Sequence, residues 1–185
     1  MIVIGITGTL GAGKGTIVDY LVNEKGFEHF SVREFISEEI KHQGMPVNRD
    51  SMVLVANGLR AAHSPSYIVD CLFDKAVLTG KNCVIESIRT PGEVESLKKR
   101  GNFKLIAVDA RPELRYKRIL LRNSETDQVS FKTFQEDEMR EMDLGDPNKQ
   151  NLRRCIEMAD YVFNNDSSIN VLIQKVAEML ENLSA

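Results

Sequence analysis

Short unbroken apolar runs alternate along the chain with stretches whose apolar residues recur every three or four positions. Residues 2–7 form a β-branched run that ends at a glycine, the pattern of a strand buried on both faces in a parallel sheet. Residues 27–31, 82–87, 103–110 and 160–164 repeat the signal. Between these runs the period changes. Ile17, Val18, Leu21 and Val22 place a helix over 14–23, with Gly26 just beyond it. Further helices are predicted over 32–43 (closed by Gly44 and Pro46), 50–62, 66–78 (ending at Gly80), 91–100, 112 to about 122, and 169–183. Pro91 and Pro112 suit a first helical turn, where proline's missing N–H is no loss. Residues 123–150 are polar and charged, apart from a weak helical pattern at 131–142. The alternation predicts an α/β fold: a five-stranded, doubly wound parallel sheet flanked by helices, with right-handed crossovers. One domain spans 1–185, with a helical insertion at about 31–65 and a lid region at about 123–150 as substrate-covering elements.

Composition narrows the function classes. The chain has 185 residues, 24 basic against 27 acidic, for a net charge of −3, with 42% hydrophobic and 28% charged residues. That size buries a core without disulfides or metal. A mildly acidic balance argues against coating nucleic acid. No apolar run approaches the ~20 residues that span a bilayer. The apolar N-terminal stretch is interrupted by glycines and follows no basic region, so it does not read as a signal peptide. The three cysteines, Cys71, Cys83 and Cys155, are scattered, as are the three histidines. They suggest free thiols in a reducing cytoplasm and no zinc site. A cytoplasmic protein acting on small molecules, with neither nucleic acid nor membrane as partner, is expected. Its oligomeric state is left open.

The sharpest chemical signal is Gly8-Thr9-Leu10-Gly11-Ala12-Gly13-Lys14-Gly15-Thr16, placed between the first strand and the first helix. That context defines a phosphate-binding loop. Glycines let the chain wrap a phosphate so that backbone N–H groups converge on it, and the helix adds the positive end of its dipole. Gly11, Ala12, Gly13, Lys14, Gly15 and Thr16 are the candidate nucleotide-binding residues, with Lys14 bringing a full charge to the β- and γ-phosphates. The hydroxyl that often follows the lysine comes one residue late, at Thr16. This Gly-Lys-Gly-Thr form resembles the adenylate-kinase branch of phosphate-loop proteins. That resemblance implies Mg²⁺ held largely by phosphates and water, near Thr16 and Glu86.

Further segments extend the resemblance. Glu86-Ser87-Ile88-Arg89-Thr90-Pro91, at the end of the third strand, resembles the acid-then-arginine segment of nucleoside monophosphate kinases. By that resemblance Arg89 grips the acceptor's phosphate and Glu86 sits near Mg²⁺-bound water or the attacking oxygen. Residues 30–37 match the start of the acceptor-binding helix imperfectly: Ser37 stands where adenylate kinases place an arginine, and Arg33 replaces a glycine. Arg33, Glu34 and Arg60 are therefore further acceptor candidates. Arg111, Arg115, Arg118 and Arg122, spaced by four, three and four, share a helical face. In adenylate-kinase-like proteins the corresponding helix leads into a lid whose arginines close over the polyphosphate, which singles out Arg118 and Arg122; the alternative is a stripe paired with the acids of residues 136–146. The lid, roughly 123–130, has no CxxC pair. Residues 159–166 resemble the last strand and loop of dephospho-coenzyme A kinases, where the loop packs on adenine, so Asn165 and Asp166 are candidate base contacts.

Over nearly the whole chain the sequence resembles the adenylate kinase/dephospho-coenzyme A kinase group of P-loop kinases. The resemblance implies the P-loop NTPase fold, ATP and Mg²⁺, and transfer of the γ-phosphoryl group to a nucleoside monophosphate or similar small phosphorylated acceptor. Three alternatives stand beside it. One is phosphorylation of a hydroxyl, as in dephospho-coenzyme A kinases, with Glu34 or Glu86 orienting it. Ser31-Val32-Arg33-Glu34, standing where that family has Asp-x-Asp, counts against this substrate. The second is a kinase of a metabolite such as a sugar acid. The third is a nucleotide-binding sensor with little turnover, suggested by Ser37.

Overall fold

A computed structural model describes residues 1–122, 129–142 and 149–184. Five strands, β1 (Val3–Gly8), β2 (Glu28–Ser31), β3 (Cys83–Glu86), β4 (Phe103–Asp109) and β5 (Tyr161–Asn164), form one all-parallel sheet in the order β2-β3-β1-β4-β5. The helices are α1 (Lys14–Lys25), α2 (Val32–His42), α3 (Arg49–Ala62), α4 (Tyr67–Thr79), α5 (Pro91–Lys99), α6 (Pro112–Leu121), α7 (Phe131–Met142), α8 (Leu152–Glu157) and α9 (Ile169–Ser184). The expected α/β architecture is the one observed.

Side chains of the central strands alternate between two cores, as the pleat requires. Val3, Ile85 and Leu105 point to one face, where Ile36, Ile40, Ile68, Leu72 and Leu97 of α2, α4 and α5 cover them. Ile4, Ile6, Val84, Ile106 and Val108 point to the other, against Ile17, Leu21, Leu172 and Val176 of α1 and α9. With both faces covered, every residue of β1 is buried, which is why that strand reads as an uninterrupted apolar run. Strand order reverses around β1, whose chain continues toward β2 on one side while β3 leads across to β4. In such a sheet the carboxyl ends of β1, β3 and β4, at this reversal, are where a ligand crevice is placed.

One element differs from the sequence expectation. Residues 152–157 form α8, six residues capped by Asn151, whose side chain accepts from the Arg154 N–H, with Leu152 and Cys155 buried. A helix of under two turns is too short to display a period, and packing holds it. Most of the expected lid segment, 123–128, lies outside the described residues, as does 143–148. No helix among the described residues is long and apolar enough to cross a membrane.

Candidate active site

The loop after β1 is shaped by close approach. Gly11 and Gly13 adopt φ of +79° and +109°, which L side chains avoid. A Cβ on Gly11 would sit 2.6 Å from the Arg115 carbonyl oxygen, and one on Gly13 would sit 2.5 Å from Asn165 Nδ2. Neighbouring elements grip the loop from outside. Thr9 Oγ1 donates to Asp109 Oδ1 (2.5 Å) and Asn165 Nδ2 donates to the Ala12 carbonyl (2.8 Å). Gly13 caps α1 with no side-chain hydrogen bond and no acid lies in the first turn, so the helix N-terminus keeps its positive end for an anion. Gly15 is exposed with open space around it, and Thr16 is half-buried one residue on.

Lys14 is folded back: Nζ donates to the carbonyls of Gly8 and Thr9, both at 2.8 Å. Crowding by protein lowers its pKa to about 7, helped by the charge of Arg89 and, more weakly, Arg122; Glu141 and Glu86 pull it upward. Five sequence-distant charges thus share one electrostatic neighbourhood. Four of them, Lys14, Glu86, Arg89 and Arg122, were candidates from sequence; Glu141 was not.

At the end of β3, Glu86 meets His29 of β2, Oε1 to Nε2 at 3.3 Å. The hydrogen bond with His29 holds the Glu86 carboxyl below its usual range, against burial, and the same bond raises His29. Arg89 NH1 donates to Glu141 Oε2 (2.8 Å) and to Gln150 Oε1 (3.3 Å). Arg33 and Glu34, at the start of α2, are exposed, with the Glu34 N–H donating to Ser31 Oγ as the helix cap. Ser37 donates to the Arg33 carbonyl (2.9 Å).

Arg60 corrects the sequence reading. Rather than standing open to an acceptor, its side chain is only 4% exposed and pairs with Glu93, fully buried at 0%, at 2.8 Å. A guanidinium so enclosed and so matched is unavailable to a ligand, because releasing it would strand a buried carboxylate.

The arginine stripe divides. Arg111 meets Asp166 through its N–H (2.7 Å) and side chain (3.6 Å). Arg118 NH2 donates to the Asn165 carbonyl (2.9 Å), while its NH1 and Asn165 Oδ1 are buried without a partner. Arg122 is exposed. Arg115, passed over in favour of its neighbours, is the enclosed one: Nε donates to the Ala110 carbonyl (2.6 Å), NH1 to the Leu10 carbonyl (3.3 Å), and Glu138 pairs with it at 2.5 Å. It ties the phosphate loop to α7. The acids of α7 therefore neutralise two arginines beside the loop, Glu138 on Arg115 and Glu141 on Arg89. Between loop and helix, Thr9, Leu10, Phe134 and Leu152 leave a gap of about 10 Å³. His29, Arg115, Glu138 and Glu141 were missed as site residues. Arg115 carried a signal in its place in the stripe, and Glu138 and Glu141 carried one as acids of the 136–146 segment that could pair with it. Among the described residues no cluster of three or more His, Cys, Asp or Glu is arranged to hold a metal ion by itself.

Residues 4–143 match the AAA domain family. A UPF0200 protein of Methanococcus vannielii is 32% identical over 187 aligned positions, covering 99% of this chain and 97% of that one. The fold is similar to that of shikimate kinase from Acinetobacter baumannii in complex with shikimate, with a TM-score of 0.63 and 17% identity over 98% of this chain and 94% of that one. It is also similar to dephospho-CoA kinase from Campylobacter jejuni, with a TM-score of 0.59 and 15% identity over 98% of this chain and 96% of that one. At such identities the likeness shows a shared fold, that of the small P-loop kinases. A phosphate loop at the carboxyl end of β1, a five-stranded parallel sheet of the same build and a relative matched end to end agree: the chain belongs to the UPF0200 family and carries its AAA domain in a P-loop kinase fold.

Proposed function

We propose that the protein transfers the γ-phosphoryl group of ATP to a small anionic acceptor, with nucleoside monophosphates or similar small phosphorylated molecules as the leading class. The observation that carries this reading is the glycine-shaped loop between β1 and α1, which opens a helix whose N-terminus has neither a side-chain cap nor an acid in its first turn, with Lys14 at its start. On the donor side the loop amides and the N-terminus of α1 take the β- and γ-phosphates, and Lys14 exchanges the carbonyls of Gly8 and Thr9 for phosphate oxygens. Asn165, beside Gly13, and Arg118, which donates to the Asn165 carbonyl, each keep a buried polar atom without a partner and border the nucleoside. The half-buried Thr16 hydroxyl and the ionised Glu86 fit Mg²⁺ through water, and the ion when bound offsets phosphate charge. On the acceptor side Arg89 exchanges Glu141 for the incoming anion. The acceptor oxygen forms its bond to the γ-phosphorus as the bond to the β–γ bridging oxygen breaks, releasing ADP. Positioning and charge supply the catalysis.

A second reading, a hydroxyl acceptor on a small acid, is favoured by the Glu86–His29 pair, since a carboxylate kept ionised can take the proton a hydroxyl must lose. Incubation with MgATP and two acceptor panels, nucleoside monophosphates and hydroxy or sugar acids, separates the readings by which panel yields ADP. Arg89→Ala is expected to raise the acceptor KM about ten- to a hundredfold, the loss of a charged hydrogen bond, while sparing ATP. Tight nucleotide binding with no ADP from either panel overturns phosphotransfer and leaves a nucleotide sensor.

A further inference from the structure

We infer that Arg60 and Glu93 are positioning residues: their buried ion pair sets the backbone of Arg89 and so aims its guanidinium at the acceptor. The inference rests on the proposed assignment of Arg89 to the acceptor side.

Glu93 is the acid of a capping box at the start of α5, where Thr90 Oγ1 accepts from the Glu93 N–H and Glu93 accepts from the Thr90 N–H. Such an acid ordinarily closes one amide at the protein surface. Here it does more. Its Oε2 accepts from two successive amides, Arg89 (2.9 Å) and Thr90 (3.1 Å), and its Oε1 meets Arg60 NH2 from α3 at 2.8 Å. The helix cap needs neither Arg89's amide nor an arginine 33 residues away. Complete burial of a carboxylate is tolerated only with a countercharge and filled lone pairs, and Arg60 supplies the countercharge. It does so at some cost, since Arg60 Nε is buried without a hydrogen-bond partner.

The whole connection from β3 to α5 is pinned in the same manner. Ser87 adopts φ +68°, a left-handed conformation that a serine holds only when its surroundings dictate it. The Ile88 N–H donates to the Ile6 carbonyl, and Thr7 Oγ1 donates to the Ile88 carbonyl (2.7 Å). The Arg89 carbonyl accepts from the Asn151 N–H (2.9 Å). Both backbone polar groups of Arg89 are therefore engaged, by Glu93 and by Asn151, which fixes where its side chain starts out. Arg60 belongs to the helical insertion, so its pair with Glu93 joins the insertion to the Arg89 turn.

The test uses the full chain in three forms: wild type, Arg60→Met/Glu93→Met, and Arg60→Met/Glu93→Gln. The first double variant removes both charges and frees the Arg89 amide while keeping volume. The second restores one acceptor oxygen. In the double methionine variant the acceptor KM should rise about ten- to a hundredfold, the penalty of a misplaced binding group, with KM for ATP within about twofold. Glu93→Gln in place of Glu93→Met should recover most of the loss, which a merely looser fold would not do. A folded double methionine variant with unchanged acceptor KM overturns the inference. Should that variant fail to fold, Arg60→Lys carries the test: a raised acceptor KM at unchanged KM for ATP supports the inference, and unchanged constants overturn it. If the wild type yields no ADP from any acceptor, the proposed function has failed, and the anchoring is judged by amide hydrogen exchange. Faster exchange confined to Arg89 and Thr90 in the folded variant supports it, and unchanged exchange at both overturns it.

Discussion

The two halves of the crevice are built from different materials. The donor half is a contiguous run, residues 8–16, whose backbone forms the cradle, with Asp109, Asn165 and Arg115 bracing it from outside. The half proposed to take the acceptor has no contiguous core. Its parts are side chains from β2, β3, α3, α5 and α7, joined by ion pairs between residues far apart in sequence: Arg60 with Glu93, Arg89 with Glu141, His29 with Glu86. A cradle of backbone amides works for any nucleotide triphosphate and constrains the chain to glycine at its tight points. A cradle of side chains can be re-specified pair by pair, which suits the acceptor role proposed for this half.

The largest effect should fall on stability, and on the acceptor half. Arg60→Met alone leaves Glu93 as a buried, uncompensated carboxylate and is expected to cost about 3–5 kcal/mol in urea unfolding. Gly15→Ala in the donor half, where an added Cβ meets nothing within 4 Å, should be neutral or stabilising by up to about 1 kcal/mol. A loss below about 1 kcal/mol for Arg60→Met would mean that ion pairing does not hold the acceptor half together.

Turnover should show the converse. Lys14→Met is expected to lower kcat about 10²- to 10³-fold, the scale of removing one donor to a developing charge, with no loss of stability, because a crowded ammonium has been removed. ADP formation and thermal melting of the same sample check both statements.

A smaller effect follows from the Lys14 pKa of about 7. Its value in the unfolded chain is near 10.5, so between those limits the unfolded state binds more protons than the folded one. Stability of the unliganded protein should therefore rise with pH across that window. A bound triphosphate restores the charge, so nucleotide binding near pH 8 should take up close to one proton, read by calorimetry in buffers of different ionisation enthalpy. Lys14→Met should abolish both. Smallest of all is His29, raised by Glu86. Its stabilisation is present below the ordinary histidine pKa and fades as pH rises through the raised value, and partial exposure keeps it under about 1 kcal/mol. An imidazole NMR titration should give a pKa above 6.5 that falls in Glu86→Gln.

The fold was legible because its signals are local. The apolar run of β1 reports burial on both faces, and Ile17, Val18 and Leu21 report the buried stripe of α1. The arginines of α6 show where legibility stops. Their common spacing placed them on one face, yet Arg115 lies 3% exposed among carbonyls and a carboxylate while Arg122 is exposed. Nothing in a period of 3.6 residues distinguishes the two, since the difference is made by α7, which reaches this face from another part of the chain. Arg60 was misread for the same reason: an arginine seen in sequence has no partner until α5 delivers Glu93.

By itself, the amino-acid sequence determined the alternation of strands and helices, the parallel sheet and the loop that opens the first helix. Each of these rests on interactions within a few residues, on side-chain period and on backbone conformations that glycine alone adopts readily. Only the tertiary structure decided which charges meet. Coulomb interactions and burial depend on distances through space, and the chain brings Arg60 to Glu93, Arg89 to Glu141 and Lys14 into reach of both Arg89 and Glu86 only once the sheet has assembled and the helices have packed upon it.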